Sequence, residues 1–161
     1  MTPQEYNKSV DQYADRVYRF ILKNIRNSDD AQDVVQNAFE IMWKNHENVD
    51  YTKSRSYLFT VAYHNMIDQF RKRKNEADLT DEHTQVQGRS SQFTGAKEAL
   101  ELGLSKLPEM QKSVVLLRDY EGYSYEEIGE ITGLNESQVK VYIFRARTAL
   151  KNFLVTPENA I

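Results

Sequence analysis

The chain has 161 residues, 40% hydrophobic and 28% charged, with a net charge of −3; this fits a soluble globular protein of one ordinary domain or two small ones and excludes disorder throughout. The absence of cysteine excludes disulfides and thiolate metal sites, and the three histidines, His46, His64 and His83, lack metal-ligand spacing, so no metal and no cofactor is expected. Met1-Thr2-Pro3-Gln4-Glu5 is not a cationic segment followed by an apolar run, and no membrane span is visible, so a cytoplasmic protein without membrane insertion of its own is expected.

The charge is unevenly placed. Residues 1–50 carry 6 basic and 9 acidic side chains, residues 51–75 carry 6 and 1, residues 76–138 carry 5 and 13, and residues 139–161 carry 4 and 1. Two basic islands in an acidic chain can neutralise phosphate locally while the remainder limits indiscriminate binding.

Long stretches of 3.6-residue periodicity, with few prolines and glycines, predict an all-α chain of two small helical domains joined by a flexible linker. A first helix runs from Tyr6 to about Arg26, with Val10, Tyr13, Val17, Ile21 and Leu22 on one side. Ser28 or Asp29 can cap a second helix ending near Asn45, whose apolar face is Val35, Ala38, Phe39, Met42 and Trp43. Its polar face groups Asp33, Gln36, Asn37, Glu40 and Lys44, which suits a basic partner helix; a merely solvated face is the commoner case.

A third helix runs from about Arg55 to Lys74. It carries Phe59, Tyr63, Met66 and Phe70 at helical spacing and ends in Arg71-Lys72-Arg73-Lys74. Aromatics beside cations can stack unpaired bases and hold phosphates. An aromatic stripe at this spacing is more often core, and cations in a last turn also complement the helix dipole. Residues 76–95, rich in Asp, Glu, Gln, Ser and Thr, read as the linker between domains 1–75 and 96–161.

Periodicity resumes at Ala96. One helix reaches about Lys106, and Pro108 opens the next, Glu109 to Tyr120. Ser124-Tyr125-Glu126-Glu127 fits a capping box opening a short helix to Thr132, Gly133 suits a positive φ, and Asn135 with Gln138 caps a last helix to Phe153. Two helices joined by so brief a turn resemble a DNA-binding helix-turn-helix. In the last helix Val139, Ile143, Ala146 and Leu150 should pack inward. Ser137, Val141, Phe144, Arg145 and Thr148 lie opposite, flanked by Lys140 and Arg147, and suit a major groove. The alternative is a solvated hairpin with ordinary surface charges.

Taken in order, these segments resemble the extracytoplasmic-function sigma factors of bacterial RNA polymerase. Asp33-Val34-Val35-Gln36-Asn37-Ala38-Phe39 resembles the D-x-V-Q-x-x-F signature of region 2. Tyr57-Leu58-Phe59-Thr60-Val61-Ala62, Ile67-Asp68 and Arg71-Lys72-Arg73-Lys74 resemble its continuation. Leu107-Pro108-Glu109 to Leu117-Arg118, Gly122 to Gly129 and Ile143-Phe144-Arg145-Ala146-Arg147 resemble region 4. The resemblance covers residues 6–74 and 96–153.

It implies a non-enzymatic initiation subunit. Asp33, Gln36, Asn37 and Glu40 would bind the clamp helices of the polymerase's largest subunit. Lys53, Arg55, Tyr57, His64, Asn65, Asp68, Arg71, Lys72 and Arg73 would read and open the −10 element of promoter DNA. Ser137, Lys140, Val141, Phe144, Arg145 and Arg147 would read the −35 duplex. Members are often held by an anti-sigma factor, and no feature of this sequence shows whether one exists here. Tyr57 stands where the family commonly has tryptophan, His64 where it has asparagine and Tyr142 where it often has arginine. Two rival readings have less behind them. A self-sufficient repressor has no sensor module to support it here, and a nuclease-like hydrolase has no carboxylate–histidine cluster, phosphate loop or nucleophile elbow.

Overall fold

The computed structural model describes residues 1–80 and 95–155, and every regular element among them is helical. Seven α-helices follow in order: α1 Pro3–Ile25, α2 Ser28–Lys44, α3 Ser54–Thr80, α4 Ala96–Ser105, α5 Glu109–Val115, α6 Tyr125–Thr132 and α7 Glu136–Val155. Short 3-10 turns at His46–Asn48 and Tyr51–Lys53 join α2 to α3.

Local chemistry fixes the ends. α1 starts earlier than its apolar periodicity suggested, because Thr2 and Glu5 form a capping box and Pro3 sits in the first turn. The cap of α2 is Asn27 rather than Ser28 or Asp29, its Oδ1 accepting from the Asp30 amide at 3.0 Å. α3 continues through Thr80, so residues 76–80, expected in the linker, are helical. Their charged composition hid strong helix formers, Glu76, Ala77 and Leu79. Residues 81–94, the rest of the expected linker, lie outside the described residues.

α1, α2 and α3 pack around Val17, Phe20, Ile21, Ala38, Met42 and Leu58. The stripe Phe59, Tyr63 and Met66 is buried here too, so it is core rather than a base-stacking platform. Trp43, expected in the core, is 43% exposed; its indole stacks on His46 at 4.2 Å and meets Tyr6 edge-on at 5.0 Å. In the second half Val114, Leu117, Ile128, Val139, Ile143 and Ala146 form the interior. The two halves share one continuous apolar cluster, with the Phe59 ring 5.5 Å from that of Tyr123.

Candidate nucleic-acid interface

α6 and α7 hold a helix-turn-helix in place from both ends. The Ser124 hydroxyl accepts from the Glu127 amide at 3.1 Å, and the Glu127 carboxylate accepts from the Ser124 amide at 2.8 Å. Asn135 and Gln138 repeat the exchange at 2.8 and 3.0 Å, capping α7. Gly133 takes φ +85° in the turn. Gly129 answers a second demand that the spacing alone did not reveal: a Cβ there would sit 2.7 Å from the carbonyl oxygen of Leu134.

With the turn fixed, α7 divides cleanly. Val139, Ile143 and Ala146 are buried, while Ser137, Lys140, Val141, Phe144, Arg145, Arg147 and Thr148 are exposed. Phe144 is 70% and Val141 45% exposed, a large apolar outlay to leave in water without a partner. The cations around them are not equivalent. Lys140 pairs with Glu136 at 3.2 Å and lies over the Tyr125 ring at 5.7 Å. Arg147 gives both arms of its fork to Asp119, at 3.0 and 2.5 Å, and this pair raises its pKa above the usual arginine value. Arg147 therefore ties α7 to the turn after α5, with Nε and Nη2 committed to the Asp119 carboxylate.

On the other half, the exposed side of α3 is His64, Asp68, Arg71, Lys72, Arg73 and Lys74, beginning where the buried stripe leaves off. Arg71 pairs with Asp68 at 3.7 Å, and Arg73 pairs with Asp30 of α2. His64 meets the edge of the Tyr63 ring, and the half-buried Asn65 keeps its Nδ2 buried without a partner among the described residues. His64 is thus the one of the two that faces outward. The Tyr57 hydroxyl accepts from Asn45 at 3.2 Å. Lys53 is exposed beside Asp50, whose carboxyl is held below the usual range by hydrogen bonds from Thr52.

Arg55 departs from its expected exposure. Its side chain is 27% exposed and its guanidinium lies 4.5 Å from the Tyr123 ring. It donates to the Glu121 carbonyl at 2.6 Å, so it faces the second half of the chain rather than solvent. The stripe Asp33, Gln36, Asn37 and Glu40 is exposed along α2 as its periodicity predicts, and Trp43 continues it by one turn.

The family model described as Sigma-70 region 2 matches residues 10–76, and that described as Sigma-70, region 4 matches residues 97–150. The chain is 30% identical to the ECF RNA polymerase sigma factor SigM of Bacillus subtilis, covering 86% of this chain and 88% of that protein. This chain is an RNA polymerase sigma factor of the extracytoplasmic-function type. It is also 30% identical to SigW of the same organism, over 90% of this chain and 86% of the relative. The fold matches that of the sigma factor RpoE from Bartonella quintana, solved with the anti-sigma factor NepR, at a TM-score of 0.81, 21% identity and coverage of 93% of this chain and 96% of that one. As a sigma factor it binds core RNA polymerase and promoter DNA and directs initiation of transcription. Among the described residues no helix of this sigma factor is long and apolar enough to cross a membrane, and no cluster of His, Asp and Glu could hold a metal.

Three functional features of the sigma factor escaped the sequence. Gly129 is dictated by the Leu134 carbonyl across the turn, while the Arg147–Asp119 pair and the placement of Glu121 against Arg55 depend on segments brought together only by the fold. A glycine in the middle of a predicted eight-residue helix was the one available signal.

Proposed function

We propose that residues 1–75 dock on the polymerase and capture the opened −10 strand, and that residues 96–161 read the −35 element as duplex. The observation that carries this is the outer face of α7. An exposed Phe144 and Val141 beside Lys140 and Arg145 suit thymine methyls, guanine edges and phosphates in a major groove. On the −10 side, His64, Asp68, Arg71 and Lys72 form the outward strip, with Lys53 and Tyr57 before it; Arg55 and Arg73 join only if released from Glu121 and Asp30. The acidic and amide stripe Asp33, Gln36, Asn37 and Glu40 suits basic clamp helices of the largest subunit.

The factor in this reading carries out no chemistry of its own. It stabilises the opened promoter by binding, and it works in the cytoplasm, where the polymerase and its template are. The reading extends to an anti-sigma partner, since the Bartonella quintana factor was solved with one. Arg145→Ala tests the −35 assignment: holoenzyme affinity for a mapped promoter should fall by about 1–3 kcal/mol if the contact is bidentate. Unchanged affinity and unchanged transcription would remove Arg145 from the interface.

A further inference from the structure

The outward strip of α3 mixes groups of fixed charge with one that titrates. Carboxylate, guanidinium and ammonium groups keep their charge across the neutral range, whereas an imidazole gains or loses its proton there. The sequence holds three histidines, and His64 is the one that α3 carries. It is exposed, and its ring meets that of Tyr63 edge-on at 5.5 Å. Tyr63 itself is buried, and its hydroxyl donates to the Met110 sulfur at the start of α5, 3.6 Å away. His64 therefore projects from a packed floor. His46 is placed differently: its ring stacks on Trp43 and its Nδ1 lies 2.7 Å from the Trp43 carbonyl. His83 lies outside the described residues.

The charges about His64 come first from α3. Asp68 stands four residues on, on the same face, and pairs with Arg71 at 3.7 Å; these two side chains are 67% and 70% exposed. Lys72 is exposed beside them. On the neighbouring helices, Glu109 of α5 acts on the Tyr63 phenol, which burial and then that carboxylate push up, and Asp30 of α2 is held by Arg73.

A neutral imidazole offers one donor and one acceptor, while the imidazolium offers two donors and a positive charge. An opposite charge within about 4–6 Å favours the protonated form. In the free factor the anion nearest along the strip, Asp68, is already partly neutralised by Arg71. A nucleic-acid strand laid against Arg71 and Lys72 brings phosphates to the same face, and the surroundings of His64 become negative.

We propose that His64 takes up a proton as the −10 strand binds and then holds one of its phosphates, so that strand capture by this factor strengthens as the pH falls. This rests on the reading that the outward strip of α3 contacts the −10 strand. A group more fully protonated in the complex than in the free protein adds affinity at the acid end of its range. That addition disappears as the pH rises through its value in the complex.

Holoenzyme binding to a labelled single strand carrying the −10 element of a mapped promoter, followed by anisotropy at about pH 6 and about pH 8, tests this. Polymerase and DNA titrate as well, so the quantity to follow is the ratio of wild-type affinity to that of His64→Asn. The ratio should be about three- to tenfold larger at the lower pH. There the salt dependence of the wild type should also be steeper than that of His64→Asn by about 0.7, one phosphate contact on a single strand. His64→Lys should bind more tightly than His64→Asn at both values, with a ratio that does not change with pH. His46→Gln and His83→Gln should keep the wild-type profile, and its loss in either would assign the proton elsewhere and overturn the proposal. Circular dichroism of each variant guards against misfolding. A wild-type to His64→Asn ratio equal at the two values would overturn it too, as would a His64→Lys factor no tighter than His64→Asn at about pH 8. The reading beneath it fails separately: if Arg71→Ala combined with Lys72→Ala leaves strand affinity unchanged at both values, the strip does not contact the −10 strand, whatever His64 does.

Discussion

Phe144 and Ile143 are neighbours on α7 with opposite environments, and replacing each by alanine should have opposite consequences. Ile143 is 2% exposed and packs into the interior beside Val139 and Ala146. Its truncation should cost about 2–5 kcal/mol of stability, from lost burial and the cavity left behind. Phe144 is 70% exposed, so less than a third of its surface is removed from water by folding. Full burial of a phenylalanine is worth about 1.5–3 kcal/mol, so Phe144→Ala should destabilise by under about 1 kcal/mol. The exposed remainder is what the −35 duplex would cover. Its loss should weaken promoter binding by roughly 1–2 kcal/mol, or about five- to thirtyfold. Urea unfolding of the free factor gives the first quantity and electrophoretic or anisotropy titration of holoenzyme on a mapped promoter gives the second. Replacing −35 thymines by deoxyuracil should reproduce part of the Phe144→Ala loss in the wild type and add little in the variant, because only the methyl is removed. A Phe144→Ala factor that binds normally, or that unfolds as readily as Ile143→Ala, would refute the division of α7 into inner and reading faces.

Gly129→Ala places a Cβ 2.7 Å from the Leu134 carbonyl, so the turn must shift; a cost of about 1–3 kcal/mol should appear in the unfolding midpoint, with weaker −35 binding. Arg147→Ala should cost under about 1 kcal/mol of stability and leave the salt dependence of promoter binding unchanged, whereas Arg145→Ala should make that dependence shallower by about one. Glu40→Lys should weaken co-purification with core polymerase while the unfolding free energy stays within about 0.5 kcal/mol of wild type. Burial, followed by the nearby Arg26 charge, lowers the pKa of Lys112 below its unfolded value. Between the folded-state and the unfolded-state pKa the unfolded chain binds more protons than the folded one, so stability contributed at this site rises with pH. The stability difference between wild type and Lys112→Met should therefore shift toward the wild type as the pH rises to the ordinary lysine value of about 10.4, and a difference that stays flat up to that pH would show that Lys112 is not desolvated.

The helices and the outer face of α7 were legible because their signals are local. Capping residues at Ser124, Glu127 and Asn135, glycine at 133, and apolar residues every three or four positions act within one or two turns. The stripe on α2 was legible for the same reason. Much of what could not be read depends on contacts that periodicity and composition do not carry. Periodicity placed Trp43 on the apolar face, but Tyr6 and His46 hold it at the surface. Composition placed 76–80 in a linker, although nothing there breaks the helix already begun. The cations were the hardest case. Sequence counts Arg55, Arg73 and Arg147 as equals of Arg71 and Arg145, yet Glu121, Asp30 and Asp119, each distant in sequence, claim the first three.

The central claim, that the chain confers promoter specificity on core polymerase through two separate readers, is tested most directly by transcription with purified components. Core polymerase and this factor should initiate at discrete start sites on genomic templates. Those sites should share two elements, with the upstream one lost on Arg145→Ala and the downstream one on Arg71→Ala combined with Lys72→Ala. Transcription no more specific than that of core polymerase alone, or start sites unaffected by either change, would contradict it.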